Sequence, residues 1–241
     1  MQNEEVEIAN DARWLDEDED EDEVRDDVEV ESEAGEVLLE PRFKYSRILN
    51  NVPVILRKDM ATCLAIHDKF VALGSRSGNI YVFDHFGNLH PESTARHHRC
   101  PVTKISIDPT GSYFVSCSQD ARISIAGITA TELAQIVDLK LSAQSVAVDP
   151  DFTKRGSGHM FVTGERNLLL HQRTFFGNYK EKILYEGMDC DGMIMQLSWY
   201  DAYIAFTNET GTRIFDNFFV LSNIVFHVMI SVSFIVSALN L

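Results

Sequence analysis

The sequence predicts an all-β domain of repeated units over residues 43–216. Three observations carry that expectation. Short alternating apolar runs are punctuated by Gly, Asn, Asp and Ser; no 3.6-residue period is sustained; and one pattern, strand–polar turn–strand, recurs four times.

The first copy runs Phe70–Ser75, a turn over Arg76–Asn79, then Ile80–Asp84. The second is Tyr113–Ser118, Gln119-Asp120, Ala121–Ala126; the third is His159–Gly164, Glu165–Asn167, Leu168–His171. The fourth is Tyr203–Thr207, Asn208–Gly211, Thr212–Asp216. Anchored on Ser75, Ser118, Glu165 and Asn208, the copies are spaced by 43, 47 and 43 residues. A period near 40–45 with several short strands per unit is the signature of a WD40-type β-propeller blade. The longer middle spacing is accounted for by a charged, Gly-rich insertion, Asp151–Gly158, read as a surface loop.

A further strand precedes each copy: Thr62–Ile66, Val102–Ile107, Gln144–Val148 and Met195–Trp199. Their apolar character suits the inner strands of a blade. Outer strands are expected at Leu133–Leu139 and Glu181–Tyr185. Asp108-Pro109-Thr110-Gly111 has Pro and Gly where a type I turn prefers them, and Ser77-Gly78-Asn79 supplies a positive-φ residue for a tight hairpin. Blades stack radially and a ring must close. No closing strand is recognisable, so the four blades are expected to be part of a larger ring. The last blade would then leave an apolar face open, and residues 43–216 alone would be poorly soluble.

Charge divides the chain. The first 40 residues hold 19 acidic and two basic side chains, whereas the remaining 201 hold 18 and 19. The net charge of -16 therefore belongs to a tail. Residues 1–42, with the unbroken acidic run Asp16–Glu23, are expected to be disordered, because like charges repel and little apolar surface offsets the ordering cost. A solubilising tail is the simplest reading. A sharper one is an adaptor-docking peptide of the acidic dileucine kind at Glu36, Leu38 and Leu39, although Ala34 stands where that signal wants its acid. The nearly neutral body lacks the clustered basic surface that nucleic-acid binding needs. With no apolar leader and no C-x-x-C pair, the expectation is a cytoplasmic protein with reduced thiols.

Motifs of catalysis are absent: there is no G-x-S-x-G elbow, no G-x-G-x-x-G and no Walker A loop. His97-His98-x-Cys100 is the only His/Cys cluster, and zinc needs further ligands, so it reads as a solvated loop between blades. Trp199 is read as core. The sequence thus predicts no enzyme, no cofactor and no metal site.

Several strings resemble a known family. They are Lys58–Gly74, Phe161-Val162-Thr163-Gly164 with Leu168-Leu169-Leu170, Leu184-Tyr185-Glu186-Gly187, and Gly211–Asp216. Together with the acidic tail they resemble, over residues 15–216, the N-terminal propeller of the vacuolar protein sorting-associated protein 41 family, subunits of the HOPS (homotypic fusion and vacuole protein sorting) tethering complex. The resemblance implies a non-enzymatic scaffold that helps tether late endosomes and autophagosomes to lysosomes. Its implied partners are other HOPS subunits, Rab- and Arf-like small GTPases and lysosomal-pathway adaptors, with peripheral membrane association. It implies no individual binding residue.

The run Phe218–Leu241 carries no Asp, Glu, Lys or Arg, and 17 of its 24 residues are apolar. It is long enough to span a bilayer as a helix. Residues 217–241 are expected to be read-through of non-coding sequence after a truncated propeller. The alternative is a tail anchor on a membrane-bound propeller of unrelated role, receptor or enzyme. The flanking aromatic and basic anchors that position a span are missing.

Overall fold

A computed structural model describes residue 48 and residues 50–91, 94–128 and 132–216. The expectations for the acidic tail, for Glu36, Leu38 and Leu39, and for residues 217–241 lie outside these residues.

The described chain forms four antiparallel meanders. Blade one is β1 (Ala61–His67), β2 (Phe70–Ser75), β3 (Asn79–Phe83) and β4 (Ala95–Arg96). Blade two is β5 (Val102–Ile107), β6 (Tyr113–Ser118), β7 (Arg122–Gly127) and β8 (Gln135–Asp138). Blade three is β9 (Ser145–Val148), β10 (Phe161–Gly164), β11 (Leu168–Arg173) and β12 (Tyr179–Tyr185). Blade four has three described strands, β13 (Gln196–Tyr200), β14 (Tyr203–Asn208) and β15 (Gly211–Asp216). This is the all-β, propeller-type architecture that the repeat predicts.

Three apolar seams join the blades. Phe70, Ala72, Ile80 and Val82 of blade one pack against Val102, Ile105 and Phe114 of blade two. Val115, Ile123 and Ile125 meet Val146, Val148 and Phe161 across the next seam. Val162, Leu168 and Leu170 meet Leu197, Trp199, Ile204 and Phe206 across the third, which places Trp199 in the core as expected. Strand β6 has both neighbours of its sheet and a blade against each face, so all six of its residues are buried.

Hydroxyls on the inner strands reinforce the seams. Thr62 Oγ1 donates to the Val102 carbonyl at 2.7 Å, Thr103 Oγ1 to Ala143 at 3.3 Å, and Ser145 Oγ to Ile194 at 3.1 Å. Each hydroxyl belongs to one inner strand; the Val102 carbonyl begins the inner strand of the next blade, and those of Ala143 and Ile194 lie just before it. Carbonyls that would be orphaned between two sheets are thereby satisfied.

Two features differ from the sequence expectation. A short helix, α1 (Asn51–Leu56), precedes blade one. Its Pro53 lies in the first turn, where the missing N–H has no intrahelical partner to lose. Six residues are too few to show a helical period. Blade one also has an outer strand, β4, too short to be read from alternation. Blade one also carries apolar side chains on its outward face: Leu64 and Ile66 of β1 point away from blade two, with Ile66 72% exposed, and Met195, Tyr200 and Tyr203 of blade four are exposed as well.

Candidate interaction rims

Each meander places its first and third turns at one end of the sheet and its second turn at the other, so the blades present two rims. On the second-turn rim, buried polar groups fasten each lead-in to its hairpin. In blade one, Asp59 accepts from Ser77 N and Oγ, from Asn79 Nδ2 at 3.0 Å and from Tyr81 OH at 3.1 Å. Burial opposes the Asp59 charge, yet these donors hold its pKa below the ordinary value.

In blade two the fastening residue is His98. It is buried, with Nδ1 3.3 Å from Asp120 Oδ1 and Nε2 2.8 Å from Ser116 Oγ. A carboxylate only accepts, so Nδ1 carries the proton and Nε2 accepts from the serine hydroxyl. Burial lowers the His98 pKa, and Asp120 partly opposes it. Its neighbour His97 stacks edge-on against Phe114 and lies 3.0 Å from Ser124 Oγ; burial brings its pKa down to about 4. The solvated-loop reading of His97-His98 is therefore corrected: both rings face the sheet and serve the fold. Among the described residues, no group of three or more His, Cys, Asp or Glu is placed to hold a metal ion.

Blade four repeats the device with Asp191. It accepts from Tyr185 OH at 2.5 Å, Met188 N at 2.9 Å, Arg213 Nη2 at 3.1 Å and Thr210 Oγ1 at 3.2 Å. The Tyr185 hydrogen bond foremost, then the Met188 N–H, drives its pKa far below the usual carboxylate range. Arg213 also lies over the Tyr185 ring at 5.0 Å. Blade three has only Glu165 at this place, with one buried oxygen unpartnered and a pKa raised by burial.

The opposite rim is shaped differently. Between blades two, three and four lies a cleft of about 440 Å³ lined by Ser106, Pro109, Pro150, Trp199, Tyr200 and Asp201. A smaller neighbour of about 240 Å³ adds Asp149, Met160 and Ala202. Asp149 accepts from Asp151 N at 2.9 Å, and burial raises its pKa. The cleft mixes ring faces, prolines and carboxylates and holds no nucleophile–base pair. Two apolar turns with exposed phenylalanines, at Phe86 of blade one and at Phe175-Phe176 of blade three, lie at the same end of their sheets. Such surfaces suit recognition of a partner.

The described residues contain no helix long and apolar enough to cross a membrane. A family model described as the Vps42 beta-propeller (Beta-prop_Vps41) matches residues 43–226, a span that takes in the first part of the apolar tail. The vacuolar protein sorting-associated protein 41 homolog of Caenorhabditis briggsae is 42% identical over 184 residues, 75% of this chain and 20% of that protein. The human homolog is 37% identical over 180 residues, covering 73% of this chain and 20% of its own length. The Schizosaccharomyces pombe protein is 29% identical over 181 residues. The chain thus spans about a fifth of the length of the curated relatives it matches. Among solved structures, the Cps50 (Swd1) beta-propeller domain of Myceliophteria thermophila aligns with a TM-score of 0.53 at 16% identity, over 65% of this chain and 51% of that one. That likeness speaks for the propeller fold alone.

Proposed function

We propose, since the chain belongs to the vacuolar protein sorting-associated protein 41 family, that it acts in vacuolar protein sorting as a non-enzymatic propeller scaffold of the HOPS tethering type. The observation that carries this reading is the family match, which covers three quarters of the chain at up to 42% identity. The geometry agrees with it. The polar clusters of the second-turn rim are consumed in fastening blades, and the opposite rim offers contact surface without a reacting group. A scaffold of this kind works by presenting surface to partners rather than by turning over a substrate.

Within that role the rim would face membrane-bound small GTPases of the Rab and Arf-like types and lysosomal-pathway adaptors, at late endosomal and lysosomal membranes and in autophagosome fusion. The test is retention of the purified chain on immobilised lysosomal Rab and Arf-like GTPases loaded with a GTP analogue or with GDP. Retention that depends on the GTP analogue is the expected result. Equal retention on both nucleotide forms and on a blank matrix contradicts the assignment.

A further inference from the structure

Blades one and three carry the same third turn. In blade one it is Asp84-His85-Phe86-Gly87-Asn88, and in blade three Thr174-Phe175-Phe176-Gly177-Asn178. The hydrogen bonds correspond one to one. Asp84 N donates to the Asn88 carbonyl at 3.0 Å and Thr174 N to Asn178 at 2.7 Å; Gly87 N donates to Asp84 at 3.1 Å and Gly177 N to Thr174 at 3.0 Å. The glycines share a left-handed φ, 84° and 86°, which a side chain disfavours. The polar residues at the ends of the loop also tie it down: Asp84 Oδ1 accepts from Phe86 N and Asn88 N, and Thr174 Oγ1 donates to the Asn178 carbonyl.

A rigid turn so built holds its central side chains outward. Phe86 is 76% exposed, Phe176 88% and Phe175 99%. Phe175 and Phe176 contact each other edge to face, with centroids 5.8 Å apart. Two adjacent phenyl rings this exposed are not accounted for by folding, because they bury almost nothing. The strands leading to this tip are cationic. Arg173, Lys180 and Lys182 flank it, and the single acid between them, Glu181, is paired with Lys140 at 3.6 Å.

We propose that the β11–β12 turn is a membrane-contact tip: Phe175 and Phe176 enter the headgroup–acyl boundary of an anionic lipid surface while Arg173, Lys180 and Lys182 pair with its headgroups, and Phe86 on the same rim supplies a second, shallower point. A lipid surface fits better than a protein partner because the tip is convex. Protein hot spots seat their anchors in pockets, whereas a bilayer yields around a projecting ring. Aromatic rings at the interface with cations close behind form the usual arrangement of peripheral anchors. One tip binds weakly, so two tips on one rim, or tip and GTPase together, are needed for retention. The inference deepens the scaffold role by naming how the rim meets a membrane, and it stands on the turn geometry.

The test uses the full chain and vesicles of phosphatidylcholine with or without phosphatidylserine, part of the lipid carrying brominated acyl chains. In F175W the added tryptophan reports the tip, and in R76W, on the β2–β3 turn, the opposite rim. The expected result is bromolipid quenching of F175W on anionic vesicles, with R76W no more quenched than the unmodified chain. F175S/F176S, which leaves the core untouched, should lower partitioning roughly tenfold relative to the parent. Equal quenching of the two reporters, or none of F175W, overturns the proposal. So does loss of GTPase retention in F175S/F176S without any lipid contact, which assigns the tip to a protein. Vesicle quenching reads the tip itself, and nucleotide-dependent retention reads the trafficking role, so either can fail alone.

Discussion

His171 should make the third blade acid-sensitive. Its ring is fully buried, stacked on Phe161 at 4.7 Å and 10°, with Nε2 2.8 Å from Thr163 Oγ1 and Nδ1 without a partner. Protonation would place a charge and an unpaired N–H between two sheets. Burial accordingly pushes its pKa from 6.5 to about 4, against a small opposing pull from Glu181. The unfolded chain binds this proton near 6.5 and the folded chain only near 4. Stability is therefore full above the unfolded pKa and falls as pH drops through the window between the two. From pH 7 to pH 5 the loss attributable to this one group comes to about 2 kcal/mol, since a pKa unit is worth about 1.4 kcal/mol and most of the window is crossed. His171→Leu removes the titration. At pH 7 the variant is less stable, because Thr163 loses its partner, but the readout is the difference in acid dependence. Urea unfolding of both chains at pH 7 and pH 5 should show the parent losing about 2 kcal/mol more than the variant. Parallel losses in the two proteins would refute the reasoning, because His97 and every carboxylate titrate in both.

Other perturbations test the seams and fastenings. Gly164→Ala puts a Cβ 2.5 Å from Ile194 Cγ2 and 2.6 Å from Ser145 Oγ, so the lead-in of blade four must move; the expected cost is about 1–3 kcal/mol, read as a lower melting temperature. Ser116→Ala leaves His98 Nε2 buried without its donor and should cost about 1–3 kcal/mol in urea unfolding. Asp191→Ala deprives Arg213, Tyr185 and Met188 N of their shared acceptor, and amide exchange should accelerate in β14 and β15 before it does in β6.

Much of the fold is legible in the sequence because a blade is a local object. Successive strands meet through short turns, and the turn residues, such as Gly78 between β2 and β3 and Asp108-Pro109-Thr110-Gly111 between β5 and β6, announce them. The inner strands were legible for the same reason, within a residue or two. What escapes the sequence depends on a neighbour. Strand β4 is two residues, assigned by its pairing with Asn79 and Ile80 rather than by its own pattern. Thr62, Thr103 and Ser145 stand at equivalent places in three blades, yet their use is visible only once the next blade's carbonyl is in place. His98 looks like any loop histidine until Ser116 and Asp120, 18 and 22 residues on, close around it. The two F-G-N turns are a signal present in the sequence, and their likeness could have been read there. The exposure of their phenylalanines could not, because a phenylalanine in a β repeat is ordinarily core.

Four meanders stack through three apolar seams, with blade one's outward face uncovered among the described residues. Hydrogen exchange read by mass spectrometry on the full chain tests this arrangement most directly. Strands β6 and β10, paired on both sides and enclosed between blades, should exchange slowest. Strand β1, bonded on one side with Leu64 and Ile66 facing outward, should exchange faster, and the turn at Phe175-Phe176 fastest of all. Protection in β1 equal to that of β6, or rapid exchange throughout β6 and β10, would contradict the stacked arrangement.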